Sequence, residues 1–326
     1  MKVLVTGASG FLGSHVAEAL AREGHEVRTL LRPTSSRAFL DFPHEEALGD
    51  VTQPETLAPA VAGVDVAIHA AGLVKARSEA EFAAVNAQGT ANLVSAIETY
   101  APKLKRFVYV SSLAAHGPSP DGRPRPVEAP PKPITAYGRT KLAGEEIARA
   151  SLVADRTVIF RPPVIYGPRD PALVPFFRLV RMGLAPLLMG GRNHISIVYA
   201  EDIARAIVLA ATAEAPVAGK TYCPEDGEPH SWRELLSAVE AAMGRRALRV
   251  STPRWAFATA SLASETFGLL RRRAVSLTRE KVEEMSQPHW VCSADSLRRD
   301  LGWQPVVNIW EGARRTGEWY RRQRWI

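Results

Sequence analysis

The sequence predicts an α/β protein: a doubly wound parallel sheet with helices on both faces, followed by a second, smaller and mostly helical domain. Three observations carry this. A β-branched, apolar run at residues 2–6 meets a glycine-rich turn and then a helical pattern. Strand-like and helix-like runs then alternate to about residue 160. After Pro162 the alternation fades, while residues 176–182 and 232–243 keep helical spacing.

In chain order, residues 11–23 set Leu12, Val16, Ala19 and Leu20 on one helical face, and Gly24 ends that helix. Residues 27–31, 64–70, 106–110 and 157–160 read as strands. Residues 86–100 and 140–150 read as helices. Residues 117–133 contain seven prolines and read as a surface flap, because proline suits neither a helix interior nor a central strand. No repeat or low-complexity tract is present.

The length of 326 residues suggests about two domains. Hydrophobic residues at 46% and charged residues at 23% exclude a disordered or collagen-like chain. The two cysteines, Cys223 and Cys292, form no metal-ligand spacing and no disulfide framework, so no metal is expected and a reducing cytoplasm fits. The chain starts on a strand without a secretory signal, and no run reaches the roughly 18 apolar residues of a membrane span. Residues 255–270 come nearest, carry Glu265, and read as a buried or interfacial helix.

The net charge is +7, from 41 Lys+Arg against 34 Asp+Glu. Residues 245–326 hold 16 basic and 8 acidic side chains, so the excess lies in the C-terminal quarter. No nucleic-acid motif accompanies it, and a solvated arginine-rich surface is the preferred reading. If the substrate is lipidic, this region, with Trp255, Phe257, Leu262, Phe267, Leu269 and Leu270, offers an anionic-membrane contact; core or dimer packing is preferred.

The string Thr6-Gly7-Ala8-Ser9-Gly10-Phe11-Leu12-Gly13 follows a strand and opens a helix. This context suits the phosphate cradle of a Rossmann dinucleotide site: Gly7 for the turn, Gly10 for close approach of a pyrophosphate, Gly13 for tight helix packing. Gly7, Ser9, Gly10, Phe11, Leu12 and Gly13 are its candidate residues. An acid roughly 20 positions later would select NAD. Leu31 stands there instead, and Arg32 follows, with Ser35, Ser36 and Arg37 as helpers. A guanidinium there suits a 2′-phosphate, so NADP(H) is expected over NAD(H).

Residues 108–112 end a strand in Ser111 and Ser112, and Tyr137-Gly-Arg-Thr-Lys141 follows. At helical spacing Tyr137 and Lys141 share a face. An ammonium beside the phenol would lower its pKa from about 10, as would an oxidised nicotinamide ring. Tyr137 then serves as acid–base, Ser112 holds the substrate oxygen, and Lys141 also binds the nicotinamide ribose.

These motifs, with Gly49-Asp50-Val51, Ala70-Ala71-Gly72, Asn86-Ala-Gln-Gly-Thr90, Arg161-Pro-Pro-Val-Ile-Tyr-Gly-Pro168 and Val198-Tyr-Ala-Glu-Asp202, resemble the extended short-chain dehydrogenase/reductase family over nearly the whole chain. The resemblance implies that Asp50 and Val51 contact adenine, that Ala70, Ala71 and Gly72 line the cofactor, and that Pro163, Val164 and neighbours border the nicotinamide. It implies a catalytic Ser112–Tyr137–Lys141 set and a homodimer. It divides the chain into an NADP-binding Rossmann domain, 1–165 with about 194–222 returning, and a substrate domain, 166–193 with 223–326.

Leu113 and Ala114 replace the acidic pair of nucleotide-sugar dehydratases, and the 194–199 stretch lacks their diphosphate-gripping arginine. These departures, with residues 277–281 and 301–305, resemble the dihydroflavonol-4-reductase-like and 3β-hydroxysteroid dehydrogenase-like branch. The expected activity is hydride transfer between nicotinamide and a ketone or secondary alcohol on an apolar skeleton. An epimerase with tightly held cofactor and a non-catalytic NADP-binding partner are the alternatives. Val74, His116 and Tyr166 are candidate substrate contacts, with a structural histidine preferred for His116 and packing equally weighted for Tyr166.

Overall fold

The computed structural model describes residues 1–326 except 215, 272, 273 and 276, and except the side chains of 188, 189, 254, 269 and 270. The first half runs β1 (Lys2–Thr6), α1 (Phe11–Arg22), β2 (Glu26–Leu31), β3 (Glu45–Leu48), α2 (Ala58–Val61), β4 (Val66–His69), α3 (Glu79–Ala83) and α4 (Gly89–Tyr100). Then come β5 (Arg106–Val110), α5 (Leu113–His116), α6 (Ala136–Ala150), β6 (Thr157–Phe160), β7 (Val164–Tyr166), α7 (Val174–Met182) and β8 (Leu184–Leu188). β9 (His194–Ile195), β10 (Ile197–Tyr199), α8 (Ala200–Thr212), β11 (Thr221–Tyr222), β12 (His230–Ser231) and α9 (Trp232–Met243) follow. The chain closes with β13 (Leu248–Thr252), α10 (Arg254–Arg271), α11 (Arg279–Ser286), β14 (His289–Trp290), α12 (Asp295–Leu301) and α13 (Ile309–Arg322).

Seven strands form one parallel sheet in the order β11-β6-β5-β4-β1-β2-β3. Val3, Leu4 and Val5 are fully buried, as a central strand covered on both faces requires. One apolar layer joins β1 and β4–β6 to α1 and α8; the other joins the sheet to α2, α4 and α6. The order of connection reverses between β1 and β4, so the crevice for a ligand opens beyond their carboxyl ends.

β7 pairs with β10, and β11 joins the main sheet beside β6. Short sheets of β12-β9-β14 and β13-β8 accompany the helices of the C-terminal half. β3 escapes the sequence reading because its Glu-Glu-Ala-Leu edge is solvent-facing and has no β-branched residue. α6 begins four residues before the predicted start because the Thr135 hydroxyl caps it, accepting the Gly138 N–H at 3.1 Å. α4 begins at Gly89 because residues 84–88 form a π-helical turn that buries Asn86.

The 117–133 flap has neither helix nor strand and is latched at both levels. Its Ser119 N–H donates to His289 O at 2.9 Å, and Lys132 N–H to His116 O at 3.0 Å. Underneath, Glu145 of α6 forms a bidentate pair with Arg161 after β6, at 2.8 and 2.9 Å, and accepts the Ser111 hydroxyl at 2.5 Å. Glu145 and Arg161 are 1% and 3% exposed, so neither has water as an alternative partner.

Removing the carboxylate leaves a buried guanidinium without its counter-charge. Glu145→Ala should lower stability by about 3–5 kcal/mol, read as a shift of the urea midpoint. An unchanged midpoint would contradict this role.

Candidate active site

The glycine cradle sits at the crevice. Gly7 has φ +74°, and a Cβ there would lie 2.7 Å from the Ala70 carbonyl carbon. A Cβ on Gly13 would lie 2.1 Å from Gly7 O, so α1 can dock on the turn only without a side chain. Gly10 is exposed and caps α1 without a side-chain bond. A Cβ there would meet only Gly7 O, at 3.2 Å, and its outer side is open. Ser9, Phe11 and Leu12 are half-buried around this opening. The cradle therefore fits a pyrophosphate set against the helix N-terminus.

Ala70 and Ala71 form the facing wall. Ala70 N–H donates to Thr6 O at 3.3 Å and Ala71 N–H to the Thr6 hydroxyl at 3.2 Å. That hydroxyl donates to His69 Nδ1 at 2.7 Å, His69 Nε2 donates to Thr90 Oγ1 at 3.1 Å, and Thr90 donates to Asn86 O at 2.7 Å. This chain requires a neutral imidazole, and burial holds His69 down to about 3. It ties the cradle to Asn86.

At the adenosine end, a cleft of about 450 Å³ is lined by Arg32, Thr34, Gly49, Asp50 and Thr56 among others. Arg32 is exposed and makes no ion pair among the described residues; its backbone N–H donates to Ser35 Oγ at 3.0 Å. Asp50 accepts from the Thr52 N–H and hydroxyl, both at 2.9 Å, and Val51 is buried against Gly89. Of the expected helpers, Arg37 is committed to Glu46 by bonds of 2.8 Å. Ser36 accepts from Ala38 N–H.

The structure brings Ser112, Tyr137 and Lys141 together. Ser112 caps α5, accepting Ala114 N–H at 3.1 Å, and its hydroxyl lies close enough to the Tyr137 phenol to bear on its acidity. Ser111 is spent on Glu145, which is why the second serine faces the tyrosine. Lys141 is buried, with Nζ 4.4 Å from the centre of the Tyr109 ring. A Cβ on exposed Gly72 would lie 3.7 Å from this Nζ and 3.1 Å from Asn86 Oδ1. A side chain at position 72 would therefore crowd both the amine and the amide.

The sequence reading has Lys141 lower the phenol pKa, and here the structure differs. Burial pushes Tyr137 up to about 12, with Ser112 acting against it and Glu284 of α11 reinforcing it. Burial likewise brings Lys141 down to about 7, opposed only by the Glu145 charge. Desolvation, not mutual attraction, dominates both groups.

For two substrate candidates, Tyr166 and His116, the geometry favours the packing or structural reading over substrate contact. Tyr166 is packed edge-on to Tyr199 at 5.5 Å and lies against Gly312 of α13, inside an apolar cluster of the C-terminal half. His116 is 2% exposed, bonds Ala129 O at 3.3 Å beneath the flap, and is held down to about 4 by burial, then by Arg161 and Arg125. The structural reading of that histidine is the one the geometry favours. Val74 is exposed near the site wall, Pro163 half-buried, and Val164 exposed.

Three residues escaped the sequence reading. Asn86 donates to Leu73 O and Thr140 Oγ1 and accepts Leu73 N–H, so it pins the 70–74 segment onto α6. Glu280 accepts the first N–H of α6, Ala136, at 2.9 Å, and Glu284 bears on the phenol. Both come from α11, far along the chain, with no local signal. Glu145 was detectable, since it continues the four-residue spacing of Tyr137 and Lys141.

From about pH 7 to pH 10 the unfolded chain holds a proton on this amine that the folded chain has released. Stability from this group therefore rises with pH over that window. Lys141→Met should melt about 2–4 °C higher than the parent chain at pH 7, the gap closing towards pH 10. A lower melting point at pH 7 would contradict the desolvated amine.

The profile of the "NAD dependent epimerase/dehydratase family" matches residues 3–223. A 2-alkyl-3-oxoalkanoate reductase of Stenotrophomonas maltophilia is 33% identical, over 97% of this chain and 98% of the relative. A ceramide reductase of Caulobacter vibrioides is 29% identical, over 99% and 96%. A solved UDP-glucose 4-epimerase of Thermus thermophilus, in complex with NAD, superposes with a TM-score of 0.78 at 26% identity, covering 98% of this chain and 99% of that one. Family match, parallel sheet and cradle agree: the chain belongs to the NAD dependent epimerase/dehydratase family, the extended short-chain dehydrogenases/reductases, and is an NAD(P)-dependent enzyme.

Proposed function

We propose that this enzyme is an NADP(H)-dependent oxidoreductase that interconverts a ketone and a secondary alcohol on a mainly apolar molecule. The observation that carries the reading is the cluster of half-buried Ser112 and Tyr137 with buried Lys141 beside the cradle. The names of the reductase relatives, which act on an oxoalkanoate and on a ceramide, support the apolar substrate class.

The bound dinucleotide supplies or accepts the hydride. The chain does the proton work. In the reducing direction Tyr137 donates its phenolic proton to the carbonyl oxygen as the alkoxide forms. A phenol kept protonated by burial suits that task at neutral pH. Ser112 donates a hydrogen bond to the same oxygen and fixes its position. Lys141, near neutrality in its pKa, hydrogen-bonds the ribose when protonated. Asn86 keeps Gly72 and Lys141 at a fixed separation. α5 and α6 exclude water from below.

Arg32 supports NADP(H) because its guanidinium is uncommitted at the mouth of the adenosine cleft, whereas Arg37 is paired. An epimerase is the second reading, favoured by the likeness to the 4-epimerase structure. An epimerase would restore its cofactor within each turnover, so a net change in cofactor absorbance with a ketone substrate separates the two.

Tyr137→Phe should lower kcat by about 10²–10⁴-fold while leaving the NADPH Kd within about twofold. Near-normal turnover would overturn the acid–base assignment. Arg32→Ser should weaken NADPH binding by about 10–100-fold and leave NADH unchanged, measured by fluorescence titration. Equal losses for both dinucleotides, or tighter NADH binding by the parent chain, would overturn the NADP preference.

A further inference from the structure

We propose that α10, with the β13 strand that leads into it, is an interfacial patch that rests on an anionic lipid bilayer and brings apolar substrate to the site. The delivery part rests on the proposed substrate class; the docking part does not. Of the preferred sequence reading of this region, core or dimer packing, the core half fails for its largest side chains. Trp255 is 70% exposed, Leu262 56% and Phe267 58%. Leu248 and Val250 of β13, the strand that precedes the helix, are also 68% and 46% exposed. The side chains of Leu269 and Leu270 lie outside the described residues.

Charge identifies the occupant. Between Trp255 and Arg271 the sequence has one charged residue, Glu265, and it is neutralised by Arg279 at 2.9 Å. Arginines bound this stretch: Arg254 before it and 271–273 after it. The Arg271 guanidinium lies 5.4 Å from the Phe267 ring, apolar stem and cationic head together. Beside β13, a cleft of about 660 Å³ is lined by Arg245, Arg246 and Arg249. Arg246 makes no ion pair among the described residues, so its charge is available. An uncharged apolar face between cationic ends suits the headgroup–acyl boundary of an acidic membrane better than a second copy of the same basic surface. No helix among the described residues is long and apolar enough to cross the bilayer, so the helix lies on it.

The patch is one helix from the chemistry. α10 packs on α11, and α11 supplies Glu280 to the first N–H of α6 and Glu284 to the vicinity of Tyr137. α11 therefore joins the docking face to the start of α6, which places substrate drawn from the bilayer next to the site.

The test is co-sedimentation of the full chain with phosphatidylglycerol/phosphatidylcholine vesicles and with phosphatidylcholine alone. Binding is expected to the acidic vesicles, about tenfold or more tighter than to the neutral ones, and to weaken as salt is raised. Trp255→Glu with Leu262→Glu should reduce it by at least about tenfold, and Arg246→Glu should reduce it without touching the apolar face. The variants should keep NADPH affinity and turnover of a short, water-soluble ketone, showing that they fold. No pelleting with acidic vesicles overturns the proposal. So does a concentration-dependent dimer, seen by sedimentation velocity, that the double variant converts to monomer while vesicle binding is unaffected; the face is then an interface between copies. Vesicle binding without turnover of any ketone overturns the proposed substrate class and upholds the docking surface.

Discussion

Everything at this site follows from withdrawing three ionisable side chains of a single helix, wholly or in part, from water. Tyr137, Lys141 and Glu145 stand four residues apart on α6; Lys141 and Glu145 are buried and Tyr137 is half-buried. Only the last obtains a full counter-charge, from Arg161. The other two respond to desolvation in opposite directions: the phenol holds its proton more firmly and the amine less firmly. Retaining an under-paired lysine there opposes stability, and such a residue is a marker of function rather than of packing.

The arrangement is kept rigid by neutral hydrogen-bond chains. Thr6, His69, Thr90 and Asn86 connect the phosphate cradle to the π-helical turn, and Asn86 connects that turn to α6. A displacement of the cradle is thereby felt at the amine. α11 adds a second tie from the C-terminal half, through Glu280 to the start of α6 and to Arg139, which also pairs with Glu79. The Tyr137 phenol is held between the sheet and a helix that belongs to the less regular half of the molecule.

The sheet, the cradle and the Ser112–Tyr137–Lys141 set were legible because each is a local pattern: buried strands are continuous apolar runs, and the cradle and the helix pair have fixed spacings. The choice of Ser112 over Ser111 comes from the family resemblance, and the Ser111–Glu145 bond gives the physical reason. What the sequence hid was long-range or solvent-facing. β3 has an exposed, charged edge, Asn86 works through a turn geometry without periodicity, and Glu284 reaches Tyr137 from a distant helix. The direction of the phenol shift was misread because spacing reports neighbours but not burial. Tyr166 stayed open between pocket and packing because an aromatic beside the site motif has the same signature whether it faces the pocket or packs on α13.

The most direct measurement is an NMR titration of ¹³C-labelled tyrosine, with Tyr137 assigned by its absence in Tyr137→Phe. The account predicts a phenol still protonated at about pH 10 in the protein alone, which ionises at least about two pH units lower once oxidised NADP is bound, because a fixed positive charge then faces it. A Tyr137 resonance that titrates at the ordinary tyrosine value in both cases would contradict it.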